Sequence, residues 1–96
     1  MSGEGTTVLR PDTRFDFSSF RAFRSAYETA LENDTTHTII IDMQAVQYID
    51  SAALGILLLL RDRAAARQCE VEIHNLAGAP KDVLEIANFQ KIFTIR

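Results

Sequence analysis

The chain has 96 residues, which suffice for one domain with one hydrophobic core and are too few for two. Its hydrophobic content of 47% is that of an ordinary soluble globular domain. The net charge of −3 argues against nucleic acid as the main partner, because phosphate groups bind basic surfaces, and the single cysteine, Cys69, excludes an internal disulfide.

The first part of the chain predicts two short strands followed by a helix. Residues 6–10 are rich in β-branched side chains and predict a strand, and residues 13–16 predict a second strand after a turn. From about Ser18 the period becomes helical, with Ser18 or Ser19 as the cap and Phe17 in the position of a hydrophobic staple. The apolar side of this helix consists of Phe20, Phe23, Tyr27, Ala30 and Leu31.

The middle of the chain predicts a buried strand that leads to a long helix. Residues 38–42 form a continuous β-branched run, which is typical of a central strand covered on both faces. Residues 43–49 predict a connection, after which a second helix is expected from near Asp50 to about Gln68. The side chains of the connection that are expected to point inward are Val46, Tyr48 and Ile49.

The last third of the chain begins with a segment in which polar and apolar side chains alternate. Residues 70–74 predict a strand with Val71 and Ile73 inward, and Pro80 suits the first turn of a third helix. Residues 93–95 can add a short final strand. Strands that alternate with helices indicate an α/β domain, with a mixed, mostly parallel sheet of four to five strands and about three to four helices.

The sequence shows neither a targeting segment nor a membrane span. The N-terminus has no basic or apolar stretch that would indicate a signal peptide. The longest apolar stretch, residues 52–60, covers about 13 Å as a helix, against about 30 Å of hydrocarbon. We therefore expect a cytoplasmic protein without membrane insertion, with a flexible N-terminus at residues 1–5 and a single domain over residues 6–96.

Residues needed for common catalytic chemistries are missing. A single glycine, Gly55, lies within residues 6–77, so there is no glycine-rich phosphate loop. His37 and His74 have no Cys, His or Glu partner at metal-ligand spacing, and we expect no metal or cofactor. Cys69 lacks a surrounding cationic cluster that would activate its thiol. The sequence therefore predicts a protein that is not an enzyme.

Asp42 leaves a catalytic alternative open. It ends the predicted central strand, where a phosphate-accepting aspartate of the receiver type could lie. That chemistry also needs an acidic pair for Mg²⁺ and a later lysine, and the candidates are Asp12, Asp16 and Lys81. A hydrolase that uses Asp16, Asp42 or His74 is a further alternative.

The start of the second helix is apolar around its whole circumference, whereas a helix on a sheet needs one apolar stripe. If Arg63 and Arg67 face water, Ala52 and Ile56 are expected to do the same. At about 100° per residue, the arginine face continues toward the start of the helix through Leu60, Ile56 and Ala52. An exposed apolar patch marks a binding surface, unless flanking loops cover it.

Ser51 follows Asp50 at the N-terminus of this helix. Either side chain can cap the helix, which is worth about 1 kcal/mol. A phosphate on Ser51 would lie at the positive end of the helix dipole and would add a charge of about −1.5 to −2 beside the apolar patch. Its burial in an interface would weaken binding by about 100–1,000-fold. These two residues thus suggest a phosphorylation switch.

This segment resembles the STAS-domain family of anti-sigma factor antagonists. In that family an Asp-Ser pair, a small residue, Gly, Leu and Gly open an apolar helix after a buried strand, as residues 50–55 (DSAALG) do after residues 38–42. Residues 14–16 resemble the early strand of the family, which ends in Asp, and residues 76–93 resemble its third helix and the exit from it. The resemblance covers nearly the whole chain.

The resemblance implies a role in bacterial transcription regulation. In the family an anti-sigma factor, itself a serine kinase, phosphorylates the serine; the unphosphorylated antagonist binds this kinase and frees a sigma factor, and a serine phosphatase resets the cycle. Ser51 matches the phosphorylated serine, Asp50 its acidic neighbour, and Asp16 an aspartate on a nearby loop. The kinase supplies ATP and Mg²⁺, so the chain needs no cofactor. With the apolar patch, the predicted partner-binding residues are Asp16, Asp50, Ser51, Ala52, Ala53, Gly55 and Ile56.

Three residues depart from the family pattern. Thr13 stands where a Gly is common before the early segment that ends in Asp. Ala53 stands where the family usually has Gly, and its methyl group would restrict the approach of a partner backbone. Ala52 replaces a frequent second serine, which leaves Ser51 as the only hydroxyl of the motif. A second function stays open, namely a non-phosphorylated structural STAS subunit of a membrane transporter complex. In either case we expect a monomer when the protein is free.

Overall fold

A computed structural model describes residues 5–96, so the predicted flexible N-terminus lies outside the described residues except for Gly5. Strands and helices alternate as the sequence predicts, and a 3₁₀ turn precedes the first helix (Phe17–Ser19) and the last strand (Phe89–Lys91). In chain order the elements are β1 (Thr6–Leu9), β2 (Arg14–Phe15), α1 (Phe20–Glu32), β3 (Thr38–Asp42), β4 (Tyr48–Ile49), α2 (Ser51–Ala66), β5 (Glu70–His74), α3 (Gly78–Ile86) and β6 (Thr94–Ile95).

The main sheet has four strands in the order β1-β3-β5-β6, and β2 and β4 form a separate two-stranded sheet. Every strand pair in residues 5–96 is parallel. The register places Ile39 between Thr7 and Val71, and Ile41 between Leu9 and Ile73. The predicted α/β class, with its largely parallel sheet and three helices, is confirmed.

The core lies on the face of the main sheet that α1 and α2 cover. The two helices pack against each other, α1 against β1 and α2 against β5. Ile39, Ile41 and Ile73 are fully buried beneath them. The helices contribute Phe23, Tyr27, Ala30 and Leu31 from α1, and Ala53, Ile56, Leu57, Leu60 and Ala64 from α2. The predicted apolar side of α1 is therefore correct, with Phe20 half-buried at its beginning.

The prediction that β3 is covered on both faces is wrong. Burial alternates along the strand: Ile39 and Ile41 are buried, whereas Thr38, Ile40 and Asp42 are half-buried. On the second face Ile40 lies between Val8 and Glu72 of the neighbouring strands and stays half-buried. The β-branched run thus reflects preference for a pleated strand as well as burial.

Tyr48 also departs from the prediction that the connection points inward. Val46 and Ile49 are buried as expected, but Tyr48 is exposed. Its ring lies under the guanidinium of Arg14, 4.3 Å from the ring centroid, in the neighbouring strand of the two-stranded sheet. Successive side chains of a strand point to opposite faces, so Tyr48 points outward because its neighbour Ile49 points inward, and the cation–π contact covers the exposed ring.

Candidate functional site

The carboxylate of Asp50 organises the N-terminus of α2. Its Oδ1 accepts the backbone N–H of Ala53 at 3.0 Å, which is an N-cap hydrogen bond. Its Oδ2 lies 3.4 Å from the backbone nitrogen of Phe17, in the turn before α1. Of the two capping candidates, Asp50 is the cap, and it also ties α2 to the start of α1.

Asp16 caps the 3₁₀ turn before α1. Ser19, one of the two caps that the sequence predicts for the helix, is the N-cap residue of α1, but its side chain makes no capping hydrogen bond to that helix. Oδ1 of Asp16 accepts the backbone N–H of Ser18 at 3.0 Å and its hydroxyl at 2.6 Å. Ser19 completes the capping box from the other side, since its Oγ accepts the Asp16 N–H at 3.2 Å. The Ser18 hydrogen bonds, with the Arg14 guanidinium 3.3 Å from Oδ2, hold the pKa of Asp16 below its ordinary value.

This cap changes the position of Phe17. Because Asp16 is the cap, Phe17 is the first residue of the turn, and its ring is 79% exposed. The predicted hydrophobic staple is therefore wrong. The structure instead brings the carboxylates of Asp16 and Asp50 to the N-terminal end of one short turn, which begins with the exposed Phe17.

Ser51 is the first residue of α2 and is exposed to solvent. Its neighbour Asp50 provides the cap, so capping does not depend on the Ser51 hydroxyl. Ala52 is half-buried and Ala53 is fully buried. The residue that stands in place of the family glycine thus packs into the core of the protein.

The expectation that Ile56 faces water is wrong. Ile56 is 4% exposed and Leu60 is fully buried. The arginine face of α2 is not the solvent face but the face toward α1: Arg63 pairs with Glu28 of α1 at 3.4 Å, and Arg67 donates a hydrogen bond to the Leu31 carbonyl. The arginines lie across the helix interface with their charged ends in water, as long side chains can.

An apolar groove nevertheless adjoins Ser51. It has a volume of about 380 Å³ and lies between the turn before α1 and the exposed side of α2. Apart from its chain neighbours and the backbone of its own helix, no atom lies within 4 Å of the position where a Gly55 side chain would begin, so packing in the fold does not require this glycine. We call this feature the docking groove; it is lined by Phe17, Phe20, Ala52, Gly55, Ile56 and Leu59.

The structure thus brings most of the predicted partner-binding residues together at the start of α2. Ile56 contributes the buried wall of the docking groove rather than an exposed patch, and Ala53 does not reach the surface. Phe17 and Leu59 line the groove although the sequence did not indicate them. Leu59 could have been found as an unexplained apolar residue outside the helix core, whereas nothing in the sequence indicates that Phe17 is exposed.

Asp42, the alternative catalytic residue, accepts hydrogen bonds from the loops that follow β3 and β5. It accepts hydrogen bonds from the Asn75 side chain at 2.9 Å and the Gln44 backbone at 3.0 Å, and pairs with Arg10 at 3.3 Å. These contacts, the Asn75 hydrogen bond foremost, lower the pKa of Asp42. Within residues 5–96 no group of three or more His, Cys, Asp or Glu could hold a metal ion.

Cys69 is buried where β5 begins, and burial raises the pKa of its thiol. A buried thiol with a raised pKa is a packed core group.

Over the described part of the chain, α2 and the other helices are too short or too polar to cross a bilayer.

Comparison with known proteins decides the family. The family model of the STAS domain matches residues 3–96. The chain belongs to the STAS-domain family. This STAS domain is 38% identical, over 82 residues, to a STAS-domain containing protein of Pseudomonas aeruginosa (strain UCBPP-PA14), and the match covers 85% of this chain and 79% of that protein.

Solved structures share the fold of this STAS domain. The anti-sigma factor antagonist SpoIIAA in its unphosphorylated form matches with a TM-score of 0.77 and 21% identity, over 100% of this chain and 83% of SpoIIAA. The phosphorylated form of the Bacillus cell fate determinant SpoIIAA matches with a TM-score of 0.75 and 19% identity, over 100% and 86%. A sulfate transporter family protein from Wolinella succinogenes matches with a TM-score of 0.80 and 15% identity, over 92% and 70%.

Proposed function

We propose that this STAS domain is an anti-sigma factor antagonist: it binds an anti-sigma serine kinase while Ser51 is unmodified, and releases the kinase when Ser51 carries a phosphate. The observation that carries the proposal is the exposed Ser51 at the tip of α2, one residue from an apolar groove. The fold shared with SpoIIAA, which is known in both unphosphorylated and phosphorylated forms, supports it.

The site can accept a phosphate with little disturbance of the fold. Ser51 is exposed, and the cap of α2 is provided by Asp50. A phosphate at this position would lie at the N-terminal, positive end of the helix dipole. The modified and unmodified proteins would therefore share one fold and differ in their surface.

The same phosphate would act strongly on a bound partner. It adds a charge of about −1.5 to −2 beside a groove whose lining is almost entirely apolar. The carboxylates of Asp16 and Asp50 already lie at this end of the groove, so the phosphate meets like charges. A partner that covers the groove would have to remove water from all of them, and we expect a loss of affinity of about 100–1,000-fold.

The chain needs no catalytic group or cofactor for this function. The kinase supplies ATP, Mg²⁺ and the catalytic base, and a serine phosphatase restores the unmodified form at the exposed Ser51. We propose that the cycle takes place in the bacterial cytoplasm and that the protein is a monomer between encounters with its kinase.

The test is phosphorylation followed by binding measurements. The protein is incubated with ATP and each purified anti-sigma serine kinase of its source organism, and the modified residue is identified by mass spectrometry. We expect Ser51→Ala to bind the kinase constitutively and Ser51→Asp to bind it weakly by calorimetry. Ser25→Asp, at an exposed serine of α1, is the matched control. Phosphate elsewhere with Ser51 untouched, or equal affinities of the two Ser51 variants, would refute the switch.

The second candidate function is permanent docking to a partner through the same surface of α2. The likeness to a sulfate transporter family protein favours a structural subunit of a membrane transporter complex, docked through α2 without phosphorylation. Co-purification with membrane ATPase subunits, unaffected by Ser51→Asp, would support this function over the first.

A further inference from the structure

The seam between α1 and α2 continues beyond the docking groove. A second hollow, of about 400 Å³, shares Phe20 with the docking groove and lies along the exposed side of α1. A third, of about 220 Å³, shares Glu28 with the second and reaches the last turn of α2. We call these two hollows together the arginine groove. The charged residues that line it are Arg21, Arg24, Glu28, Glu32, Arg63 and Arg67.

The arginine groove concentrates positive charge in a chain whose net charge is −3, because its lining has four arginines and two glutamates. One oxygen of Glu28, Oε2, serves two of these arginines, Arg24 at 3.3 Å and Arg63 at 3.4 Å. Arg67 donates to a backbone carbonyl, which carries no net charge. Arg21 is exposed and forms no ion pair within residues 5–96. The contacts inside the groove therefore leave positive charge unmatched.

The two ends of the seam differ in character. The docking groove, at the Ser51 end, is apolar and has the carboxylates of Asp16 and Asp50 beside it. The arginine groove reaches the other end of α2, a helix of 16 residues and thus about 24 Å in length. A partner that covers the whole seam therefore meets an apolar section and then a positive one.

Helices form both sides of the seam, and this decides the backbone of its occupant. The N–H and C=O groups of an α-helix bond to one another, so the seam cannot pair with the backbone of an extended chain. A helix satisfies its own backbone groups and packs its side chains between those of other helices. The row on α2 that would face such a helix has spacings of three and four residues and consists of Ala52, Ile56, Leu59 and Arg63.

We propose that the arginine groove binds the acidic part of an amphipathic helix of another protein, whose apolar part lies in the docking groove. Carboxylates of that helix contact Arg21 and Arg24 on α1 and Arg63 on α2. A guanidinium has five N–H donors, so an arginine that contacts Glu28 through one nitrogen can also bind a second carboxylate. The inference rests on the proposed function, since it takes the docking groove as the binding surface, and it adds the charge and the direction of the partner helix.

A nucleic acid or an anionic membrane matches this surface less well than an acidic helix does. Either would bring negative charge along the whole seam and so meet the carboxylates of Asp16 and Asp50 at the Ser51 end. A helix can carry its acidic residues at one end and its apolar residues at the other. Only this distribution of charge matches both sections of the seam.

The test selects helical peptides of 16 residues from a phage-displayed library and measures the binding kinetics of the enriched synthetic peptides. We expect apolar residues at spacings of three and four, with acidic residues toward one end. Arg21→Glu breaks no ion pair of the described chain, and we expect about tenfold weaker binding, mainly through slower association. Lys81→Glu, the same change of charge at an exposed residue of α3, is the matched control. A peptide with lysine in place of its acidic residue should bind Arg21→Glu better than it binds the original chain.

NMR of the arginine side chains needs no variant. The Nε–H signals of Arg24 and Arg63 should shift when the peptide binds. The proposal is overturned if no helical peptide is enriched, if the enriched peptides lack an acidic end, if these signals do not move, or if Arg21→Glu binds the peptides as Lys81→Glu does. It is also overturned if the original chain binds anionic vesicles or duplex DNA and Arg21→Glu does not.

Failure of this proposal can be told from failure of the proposed function. If peptides bind through Arg21 but the kinase does not modify Ser51, only the switch is wrong. If kinase binding is weakened by Ser51→Asp and is the same for Arg21→Glu and Lys81→Glu, only the role of the arginine groove is wrong.

Discussion

Asp50 accepts a hydrogen bond from the backbone N–H of Phe17, which lies 33 residues earlier in the chain. The second oxygen of the same carboxylate caps α2 through Ala53. One side chain thus fixes the helix that carries Ser51 and the turn that carries the exposed aromatic ring. The two walls of the docking groove are held in register by this carboxylate.

We expect Asp50→Ala to destabilise the protein by about 1 kcal/mol, the usual cost of losing an N-cap. The variant loses the hydrogen bond to Ala53 and the tie to Phe17 together. Asp50→Asn is the matched control, because its amide oxygen can still accept the Ala53 N–H. Urea unfolding at neutral pH measures both, and an Asp50→Ala variant as stable as the original chain would show that this carboxylate does not hold the site.

Phe17→Ala should leave stability within about 0.5 kcal/mol, because the ring is exposed, yet weaken kinase binding by at least about tenfold. Ile86→Ala is the control: Ile86 is 82% exposed against 79% for Phe17, but lies on α3, outside the docking groove. The chain contains no tryptophan, so Phe17→Trp introduces a unique fluorescent probe. An emission spectrum of Phe17→Trp that the kinase does not change would contradict a contact at this position.

Gly55→Ala should raise the stability of the protein while lowering its affinity for the kinase. A Cβ at Gly55 meets no atom within 4 Å outside its chain neighbours and its own helix backbone, so the substitution should stabilise α2 by about 0.5–1 kcal/mol through helix propensity. The added methyl group would occupy the docking groove and weaken kinase binding. Gly78→Ala gives the contrast, since Gly78 has a φ of +63° and alanine there is strained. Thermal unfolding and calorimetry measure the two effects, and unchanged kinase affinity of Gly55→Ala would exclude close approach at this point.

The stability of the turn before α1 should depend on pH through Asp16. Its pKa is lowered from the ordinary 3.8, chiefly by the Ser18 hydroxyl. A carboxyl with a lowered folded-state pKa stabilises the protein above its unfolded-state pKa, and this contribution is lost as pH falls through the folded-state pKa. The effect therefore lies in the acid range, below about pH 4.

Ser18→Ala should raise the Asp16 pKa toward its ordinary value and weaken the acid-range dependence. An NMR titration of the Asp16 carboxyl measures the shift directly, with Ser25→Ala as a control that leaves the turn intact. If the titration midpoint of Asp16 is the same in both variants, the Ser18 hydroxyl is not the cause.

Periodicity alone predicted most of the architecture. The alternation in residues 70–74 and the helical spacing from Phe20 to Leu31 depend on side chains only a few positions apart, and such patterns identify which side of an element is apolar. The motif at residues 50–55 likewise placed Ser51 at the start of a helix. Capping was predicted only in part, since Asp50 caps α2 as expected but Asp16 provides the capping carboxylate before α1.

Periodicity could not decide what covers each face, because coverage comes from residues distant in sequence. The arginine face of α2 was expected to be exposed, but α1 lies against it and Glu28 pairs with Arg63. The docking groove lies between α2 and a turn that Asp50 contacts 33 residues earlier in the chain, a contact that no local pattern indicates. The sequence by itself determined the elements, their apolar sides and the position of Ser51; only the tertiary structure decided which apolar surfaces stay exposed, since that depends on how separate elements pack.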